Sequence, residues 1–133
     1  MRVLIVDSYP VAGAALAWEL EGYGVETRIV DTIARAEAEI AALKPDVLVT
    51  ELFLQDGDYL ALTLYRRLFP IILLTHDLAA YDADVKSTVD AYLCKPSQAI
   101  DLIAVAGNFI SERPYCILRE RESCLRFCPV PNR

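Results

Sequence analysis

The chain has 133 residues, 55% of them hydrophobic, which is enough for one domain with a hydrophobic core. Its formal net charge of -6 argues against general nucleic-acid binding, and no apolar run approaches the roughly 18 residues of a membrane span. The N-terminus lacks the pattern of a signal peptide, and four cysteines in a chain of this length do not indicate a disulfide-stabilised fold, so we expect a cytoplasmic protein.

Five short apolar segments are predicted strands. In chain order they are 3–6, 25–30, 47–49, 71–74 and 91–94. The third is a continuous apolar run, which is typical of a strand buried on both faces of a parallel sheet. It is followed by Glu51 and a turn-rich stretch.

A helical pattern follows each strand. The predicted N-cap of the first helix is Ser8, before Pro10, and that of the second is Asp31 or Thr32. Asp58 is the predicted N-cap of the third helix and Ser97 that of the fifth. The predicted apolar stripes are Val11, Ala14, Ala15 and Trp18; Ile33, Ala36, Ile40 and Leu43; Leu60, Leu64 and Leu68; and Ile100, Ile103, Ala106 and Phe109 or Ile110. Trp18 is expected in the core, and Arg66 and Arg67 in the last turn of the third helix. The fourth helix, about 78–89 with Tyr81 and Val85 on one side, is expected to be short or mobile.

Strands that alternate with helices predict an α/β fold with a parallel sheet and helices on both faces. We expect the flavodoxin-like (βα)5 order 2-1-3-4-5, in which the first and third strands meet at the switch point. Asp7 and Glu51 end those two strands and should face each other across the crevice. Thr75 and Lys95 end the fourth and fifth strands on the same rim. The topology therefore brings two acids, a hydroxyl and an amine to one edge of the sheet.

Residues 1 to about 111 resemble the receiver domain of two-component response regulators. The matching segments are LIVD (4–7), DVLVTE (46–51), DGD (56–58), Thr75 and YLCKP (92–96). In that family an aspartate after the third strand accepts a phosphoryl group from a histidine kinase, and two acids after the first strand hold Mg²⁺. The resemblance implies that Thr75 and Lys95 would contact the phosphoryl oxygens. It also makes Tyr92 the aromatic residue that changes rotamer on activation.

The sequence departs from the receiver pattern where the chemistry takes place. The phosphoacceptor position holds Glu51, and the second acidic position holds Ser8. Gln55 replaces the usual proline of the acceptor loop, and His76 replaces the small residue after the hydroxyl. Mg²⁺ needs near-octahedral oxygen coordination, so losing one carboxylate and displacing another disfavours it. We therefore expect no cofactor and no ordinary phosphorylation, with Mg²⁺ at Asp7 and Glu51 as the weaker alternative.

Two interpretations of the acidic pocket remain open. Glu51 can reach toward Lys95 and hold part of the activated arrangement permanently, as an imperfect copy of a phosphorylated aspartate. Alternatively, Glu51, Asp7 and Lys95 only pair at the sheet edge, because buried charges need partners. For Tyr92 and His76 the simpler interpretations are a half-buried aromatic and a solvent-facing side chain.

Residues 112–133 differ in composition from residues 1–111, and we divide the chain there into a receiver-like domain and a C-terminal tail. The tail carries five arginines and three glutamates, whereas residues 1–111 carry eight basic and sixteen acidic groups. The spacing of Cys116, Cys124 and Cys128 is not that of a known zinc or iron–sulfur site. A hairpin, an irregular extension, an intermolecular disulfide and packed reduced thiols all remain open for this segment.

These observations predict a stand-alone receiver-like module that signals by docking to a protein, without phosphorylation and without enzymatic activity. The partner would be a histidine kinase or another signalling protein, or a second copy in a homodimer, and neither a nucleic acid nor a membrane. The resemblance assigns docking to the fourth helix, fifth strand and fifth helix. The alternatives are a phosphorelay response regulator that still accepts phosphate at Glu51, and a redox- or metal-responsive protein acting through its tail cysteines.

Overall fold

A computed structural model describes residues 1–76 and 83–110, which form a parallel sheet flanked by helices. The elements are β1 (Arg2–Val6), α1 (Pro10–Gly22), β2 (Glu26–Val30), α2 (Ile33–Leu43), β3 (Val47–Thr50), β4 (Phe53–Leu54), β5 (Gly57–Asp58), a 3-10 helix (Tyr59–Tyr65), β6 (Ile71–Thr75), α3 (Ala83–Lys86), β7 (Ala91–Cys94) and α4 (Ala99–Ile110). The sheet order is β2-β1-β3-β6-β7, with every neighbouring pair parallel. Because β6 and β7 are the fourth and fifth predicted strands, the predicted flavodoxin-like order is confirmed.

Two apolar layers enclose the sheet, because successive residues of a strand point to opposite faces. Leu4 and Leu48 point toward α2 and the 3-10 helix, and Val3 and Val47 point toward α1 and α4. Both faces of the central strands are buried, which explains why these strands read as unbroken apolar runs.

The second helix agrees with its sequence pattern. The Thr32 hydroxyl accepts the Arg35 N–H over 3.1 Å and caps α2. All four residues of the predicted stripe are buried: Ile33, Ala36, Ile40 and Leu43. Alanines and charged residues fill the other positions, so only one face of this helix can enter the core.

The first helix has the opposite orientation to the predicted one. Trp18 is 77% exposed and Val11 is 84% exposed, so the prediction that Trp18 lies in the core was wrong. Leu16 and Leu20 face the sheet instead. Gly13 lets the helix approach closely, because a Cβ there would stand 3.3 Å from a methyl group of Ile29. α1 is apolar on nearly all sides, so its periodicity does not identify the buried face.

The third predicted helix is a 3-10 helix of seven residues. Asp58 caps it as predicted, accepting the Leu60 N–H over 2.9 Å. A 3-10 helix has three residues per turn, which places Tyr59 and Leu62 on one face, and these two are buried. Leu60 and Leu64 are exposed, contrary to prediction.

Arg66 lies beyond the end of the 3-10 helix and makes a tertiary contact rather than a contact with the helix dipole. Its Nε is 3.3 Å from the buried Asp90 carboxylate, and its Nη1 donates to the Ser87 carbonyl over 2.7 Å. Asp90 also accepts the Ile71 N–H over 2.8 Å. This contact joins the start of β6 to the segment that leads into β7.

The buried residues of α3 and α4 agree in part with the predicted apolar stripes. Within the described residues α3 covers Ala83–Lys86, and Val85 packs against the core. Residues 77–82, including the predicted contact at Tyr81, lie outside the described residues, so the expected short or mobile helix stays a prediction. In α4, Ala106 is buried as predicted, but Leu102 occupies the core position and Ile100 is exposed. α4 begins at Ala99, and most of its residues are apolar, so their spacing does not identify a unique buried face.

Candidate functional site

The candidate site lies at the C-terminal ends of the central strands. Asp7 follows β1, Glu51 follows β3, and Thr75 and Lys95 lie at the ends of β6 and β7. Backbone hydrogen bonds extend the sheet here, because the Glu51 N–H donates to the Val6 carbonyl over 3.1 Å and the Lys95 N–H to the Thr75 carbonyl over 2.9 Å. The position of these side chains therefore follows from the strand register.

Lys95 lies at the centre of the candidate site. Its Nζ is 2.5 Å from Asp7 Oδ2 and 3.0 Å from Glu51 Oε2. The Lys95, Asp7 and Glu51 side chains are 10%, 4% and 17% exposed. Burial lowers the pKa of the Lys95 ammonium, but hydrogen bonds and charge from Asp7 and Glu51 more than offset this, so its pKa is raised. The predicted pairing of Lys95 is confirmed, and it involves both carboxylates at once. We call Asp7, Glu51 and Lys95 the ion triad.

The remaining oxygens of the two carboxylates accept backbone hydrogen bonds. Asp7 Oδ1 accepts the Tyr9 N–H over 2.9 Å, at the start of α1. Glu51 Oε1 accepts the N–H of the next residue, Leu52, over 2.8 Å. Each carboxylate is thus held by one ammonium and one backbone N–H. These backbone donors could not be found from the sequence, because every residue but proline has one.

Ser8 does not cap the first helix, contrary to prediction. Tyr9 is the N-cap residue of α1, and no side chain caps the helix. Ser8 Oγ is buried and has no hydrogen-bond partner among the described residues. A buried hydroxyl without a partner costs free energy, so Ser8 gains no stability from hydrogen bonds to the described residues.

The residues present do not fit a magnesium ion. All four oxygens of Asp7 and Glu51 already accept hydrogen bonds from protein donors, and Lys95 lies between them with a positive charge. Ser8 supplies a neutral hydroxyl where a second carboxylate would be needed. Within residues 1–76 and 83–110, no group of three or more metal-ligating side chains is present.

Thr75, Tyr92 and His76 lie on or directly after β6 and β7 and differ in exposure. Thr75 is buried at the end of β6, whereas Tyr92 is 44% exposed on the edge strand β7. His76 is exposed, as predicted, and lines a cleft of about 200 Å³ together with Leu16 and Glu19 of α1. The cleft reaches Asp7 and Lys95, so the ion triad borders it on one side.

Asp56 fixes the loop that follows Glu51. Its two carboxylate oxygens accept the Ile33 N–H over 2.8 Å and the Ala34 N–H over 3.2 Å, at the N-terminus of α2. The Ile33 hydrogen bond is the main cause of a lowered pKa at Asp56. This role of Asp56 was not predicted from the sequence, although an aspartate in a turn is a frequent partner of helix N–H groups.

Cys94 is a free, exposed thiol next to Lys95, whereas Cys116, Cys124 and Cys128 lie outside the described residues. The predicted role of these tail cysteines therefore stays a prediction. None of the helices in the described ranges is both long and apolar enough to cross a membrane.

Comparison with solved structures identifies the fold. A two-component response regulator from Clostridium difficile is 26% identical, with a TM-score of 0.69 over 86% of this chain and 98% of that one. The CheY-like receiver domain from Methylobacillus flagellatus is 21% identical, with a TM-score of 0.73 over 82% and 98%. The signal receiver domain of a histidine kinase from Syntrophus aciditrophicus is 24% identical, with a TM-score of 0.71 over 84% and 90%. No protein-family model and no curated protein matches the sequence. The chain therefore has the CheY-like receiver fold of two-component response regulators.

Proposed function

We propose that this chain is a receiver-like signalling module that docks to another protein and does not depend on phosphorylation. The observation that carries the proposal is the position of Lys95, whose ammonium contacts both Asp7 and Glu51. In receivers, a metal ion and a phosphoryl group supply the charges of this pocket. Here the Lys95 ammonium supplies the positive charge of the pocket and offsets one of the two carboxylates around it.

The geometry argues against Glu51 as a phosphoryl acceptor. Phosphoryl transfer depends on placing the nucleophile in line and on neutralising the transferred charge. Both Glu51 oxygens are engaged, one by Lys95 and one by the Leu52 N–H. A displacement of about 1 Å can cost on the order of 100-fold in a positioned reaction, and glutamate is one methylene longer than aspartate.

The same contacts suggest how the module signals. The Glu51 carboxylate holds Lys95 in the way that the resemblance assigns to a phosphorylated aspartate, so part of the activated arrangement is permanent. Tyr92 is half-exposed on β7, three residues before Lys95. Its side chain can therefore contact a partner and respond to the position of Lys95. The docking face that we propose is formed by α3, β7 and α4. Its partner is a protein, either a signalling protein such as a histidine kinase or a second copy of the chain.

The first prediction tests the chemistry. Incubation with acetyl phosphate and millimolar Mg²⁺ should give no phosphoryl adduct, because Glu51 is engaged and Ser8 supplies no second carboxylate. Intact-mass measurement is the readout, with an ordinary receiver domain as the positive control. A gain of one phosphate that disappears in Glu51→Gln would show that the pocket still accepts phosphate and would overturn the proposal.

The second prediction tests the docking face. Tyr92→Ala and Lys95→Ala should each weaken partner binding, or self-association if the protein dimerises there, by about 1 kcal/mol or more at an interface hot spot. Leu64→Ala is a matched control, because Leu64 is an exposed apolar residue on the 3-10 helix. Sedimentation and binding titrations measure the effect. If both variants bind normally while substitutions on α1 abolish binding, docking occurs elsewhere.

The third prediction tests the proposed boundary between residues 1–111 and the tail. Deleting residues 113–133 should leave a folded, soluble domain, because the described residues before position 107 already cover both faces of the sheet. We expect an unchanged circular dichroism spectrum and a changed oligomeric state or partner affinity. Unfolding of the shortened chain would mean that the tail completes the core.

A further inference from the structure

The outer face of α1 carries an apolar stripe that the described residues leave exposed. It consists of Val11, Ala14, Ala15 and Trp18, with Val11 84% and Trp18 77% exposed. Because an α-helix turns by about 100° per residue, these four side chains occupy only about 100° of its circumference. A tryptophan buries a large area when covered, so leaving it in water forgoes a substantial hydrophobic stabilisation. We call these four residues the outer stripe.

The outer stripe is symmetric in size about its own midpoint. A large apolar side chain stands at each end, Val11 and Trp18, and a small one stands on each side of the midpoint, Ala14 and Ala15. In a two-fold contact each residue of one copy meets its counterpart on the other, and the reverse contact is made as well. A two-fold axis at the midpoint, perpendicular to the helix, therefore sets Trp18 against Val11 of a second copy and Ala14 against Ala15. The stripe is thus complementary in shape to an antiparallel copy of itself.

The charges of α1 favour the antiparallel arrangement over the parallel one. The first turn of α1 contains no acidic residue and no side chain caps its N-terminus, whereas Glu19 lies near the other end and is exposed. In the antiparallel pair, Glu19 lies beside the first turn of the second helix, where a carboxylate is stabilising. The two Glu19 residues are then about 13 Å apart along the helix axis, at a rise of about 1.5 Å per residue. A parallel pair would instead set Glu19 against Glu19 and align the two helix dipoles.

We infer that the protein forms an antiparallel two-fold dimer through the outer stripe of α1. The two tryptophans together bury roughly 300–500 Å², and the other residues of the stripe are small, so the interface lies below the roughly 1,200 Å² of stable complexes. The dimer is therefore weak, with a dissociation constant on the order of 10–100 µM. This contact goes beyond the proposed function, because it lies on α1 and leaves the face formed by α3, β7 and α4 to a different protein.

Sedimentation equilibrium of the full chain tests the dimer, with a reducing agent present so that no disulfide links two copies. Val11→Ser/Trp18→Ser should raise the dissociation constant at least tenfold, because a buried tryptophan is a frequent hot spot of interfaces. The matched control is Phe53→Ser/Leu64→Ser, at apolar side chains that are 73% and 79% exposed outside α1, and it should dimerise normally. Tyr92→Ala should also dimerise normally. A chain that stays monomeric up to about 500 µM, or a dimer lost in Tyr92→Ala but kept in Val11→Ser/Trp18→Ser, would overturn the inference.

A photocrosslink tests the orientation of the two helices. The full-length variant Trp18→p-benzoylphenylalanine keeps an aromatic side chain in the outer stripe and, on illumination, should form crosslinks near Val11 of a second copy. Mixing isotope-labelled and unlabelled chains before illumination lets mass spectrometry distinguish crosslinks between two chains from those within one. Crosslinks near position 18 of the second copy would show a parallel pair, and crosslinks within one chain would show that another part of the same chain covers the stripe. Either result would overturn the inference. Circular dichroism shows whether each variant is folded.

Discussion

Lys95→Met should lower the free energy of unfolding by roughly 3 kcal/mol, the low end of the range for breaking a buried ion pair, since Glu51 is still partly exposed. Removing the ammonium leaves Asp7 and Glu51 facing each other without a cation between them. The fold should persist, because a domain of this size has a stability of about 5–15 kcal/mol. Urea denaturation at pH 7 measures the loss. Lys86→Met, at an exposed lysine of α3, is the matched control and should change stability by less than about 0.5 kcal/mol.

The pH dependence separates a charge effect from lost packing. In the native chain the raised pKa of Lys95 gives stability that is fully present below the unfolded pKa of about 10.4 and is lost as the pH rises through the folded value. The stability of Lys95→Met should not show this decrease at alkaline pH. One carboxyl group of the variant should take up a proton, so its stability should increase as the pH falls from 7 to 5.

A variant without charges in the ion triad distinguishes the cost of an unpaired charge from the loss of packing. The variant Asp7→Asn/Glu51→Gln/Lys95→Met removes all three charges and should recover much of the stability that Lys95→Met loses, because no unpaired charge remains buried. If this variant is as unstable as Lys95→Met, the effect arises from the packing of the lysine stem. The ion triad would then be a consequence of the fold, and its charges would not be what stabilises it.

The fold could be predicted where the sequence offers only one solution. α2 has a single apolar face, as predicted, and of the two predicted caps, Asp31 and Thr32, it is Thr32 that caps the helix. α1 and α4 are apolar on most sides, and there the buried face depends on close approach to the sheet, as at Gly13. The segment after Asp58 forms a 3-10 helix and not the predicted α-helix, with Tyr59 and Leu62 buried. The spacing of apolar residues does not reveal this packing.

The candidate site shows the same division between what strand order determines and what local geometry determines. Asp7, Glu51 and Lys95 lie together because the order of three strand ends is fixed by topology. Their individual hydrogen bonds depend on local backbone geometry, such as the Tyr9 N–H that turns toward Asp7. Ser8 illustrates the limit most clearly. Its type and position suit a helix cap, yet the helix starts one residue later and leaves its hydroxyl buried without a described partner.

Ser8→Asp/Glu51→Asp should create a magnesium site where the native chain lacks one. Ser8 directly follows Asp7, at the position where the resemblance to receivers places a second acidic residue. Shortening Glu51 by one methylene withdraws its oxygens by about 1.5 Å, which frees space between the carboxylates and Lys95. Two or three carboxylate oxygens with water can then satisfy the octahedral geometry of the ion.

The expected result is a stability that depends on magnesium. In chelator the double variant should be less stable than the native chain, because three carboxylates share one lysine. At a Mg²⁺ concentration about 100 times the dissociation constant, binding should return roughly 2.7 kcal/mol of stability. Thermal denaturation with and without Mg²⁺ measures this gain, and intact mass after acetyl phosphate treatment shows whether Asp at position 51 accepts phosphate.

The matched control for this variant is Ser8→Asn/Glu51→Asp, which has nearly the same size but one carboxylate fewer. It should gain much less stability from Mg²⁺, because a neutral amide contributes a weaker ligand and no charge. If the double aspartate variant gains no more than this control, the pocket has diverged from receivers in its backbone and not only at positions 8 and 51. If it gains both metal and phosphate, two substitutions separate this chain from a phosphorylatable receiver, and the ion triad is what replaced that chemistry.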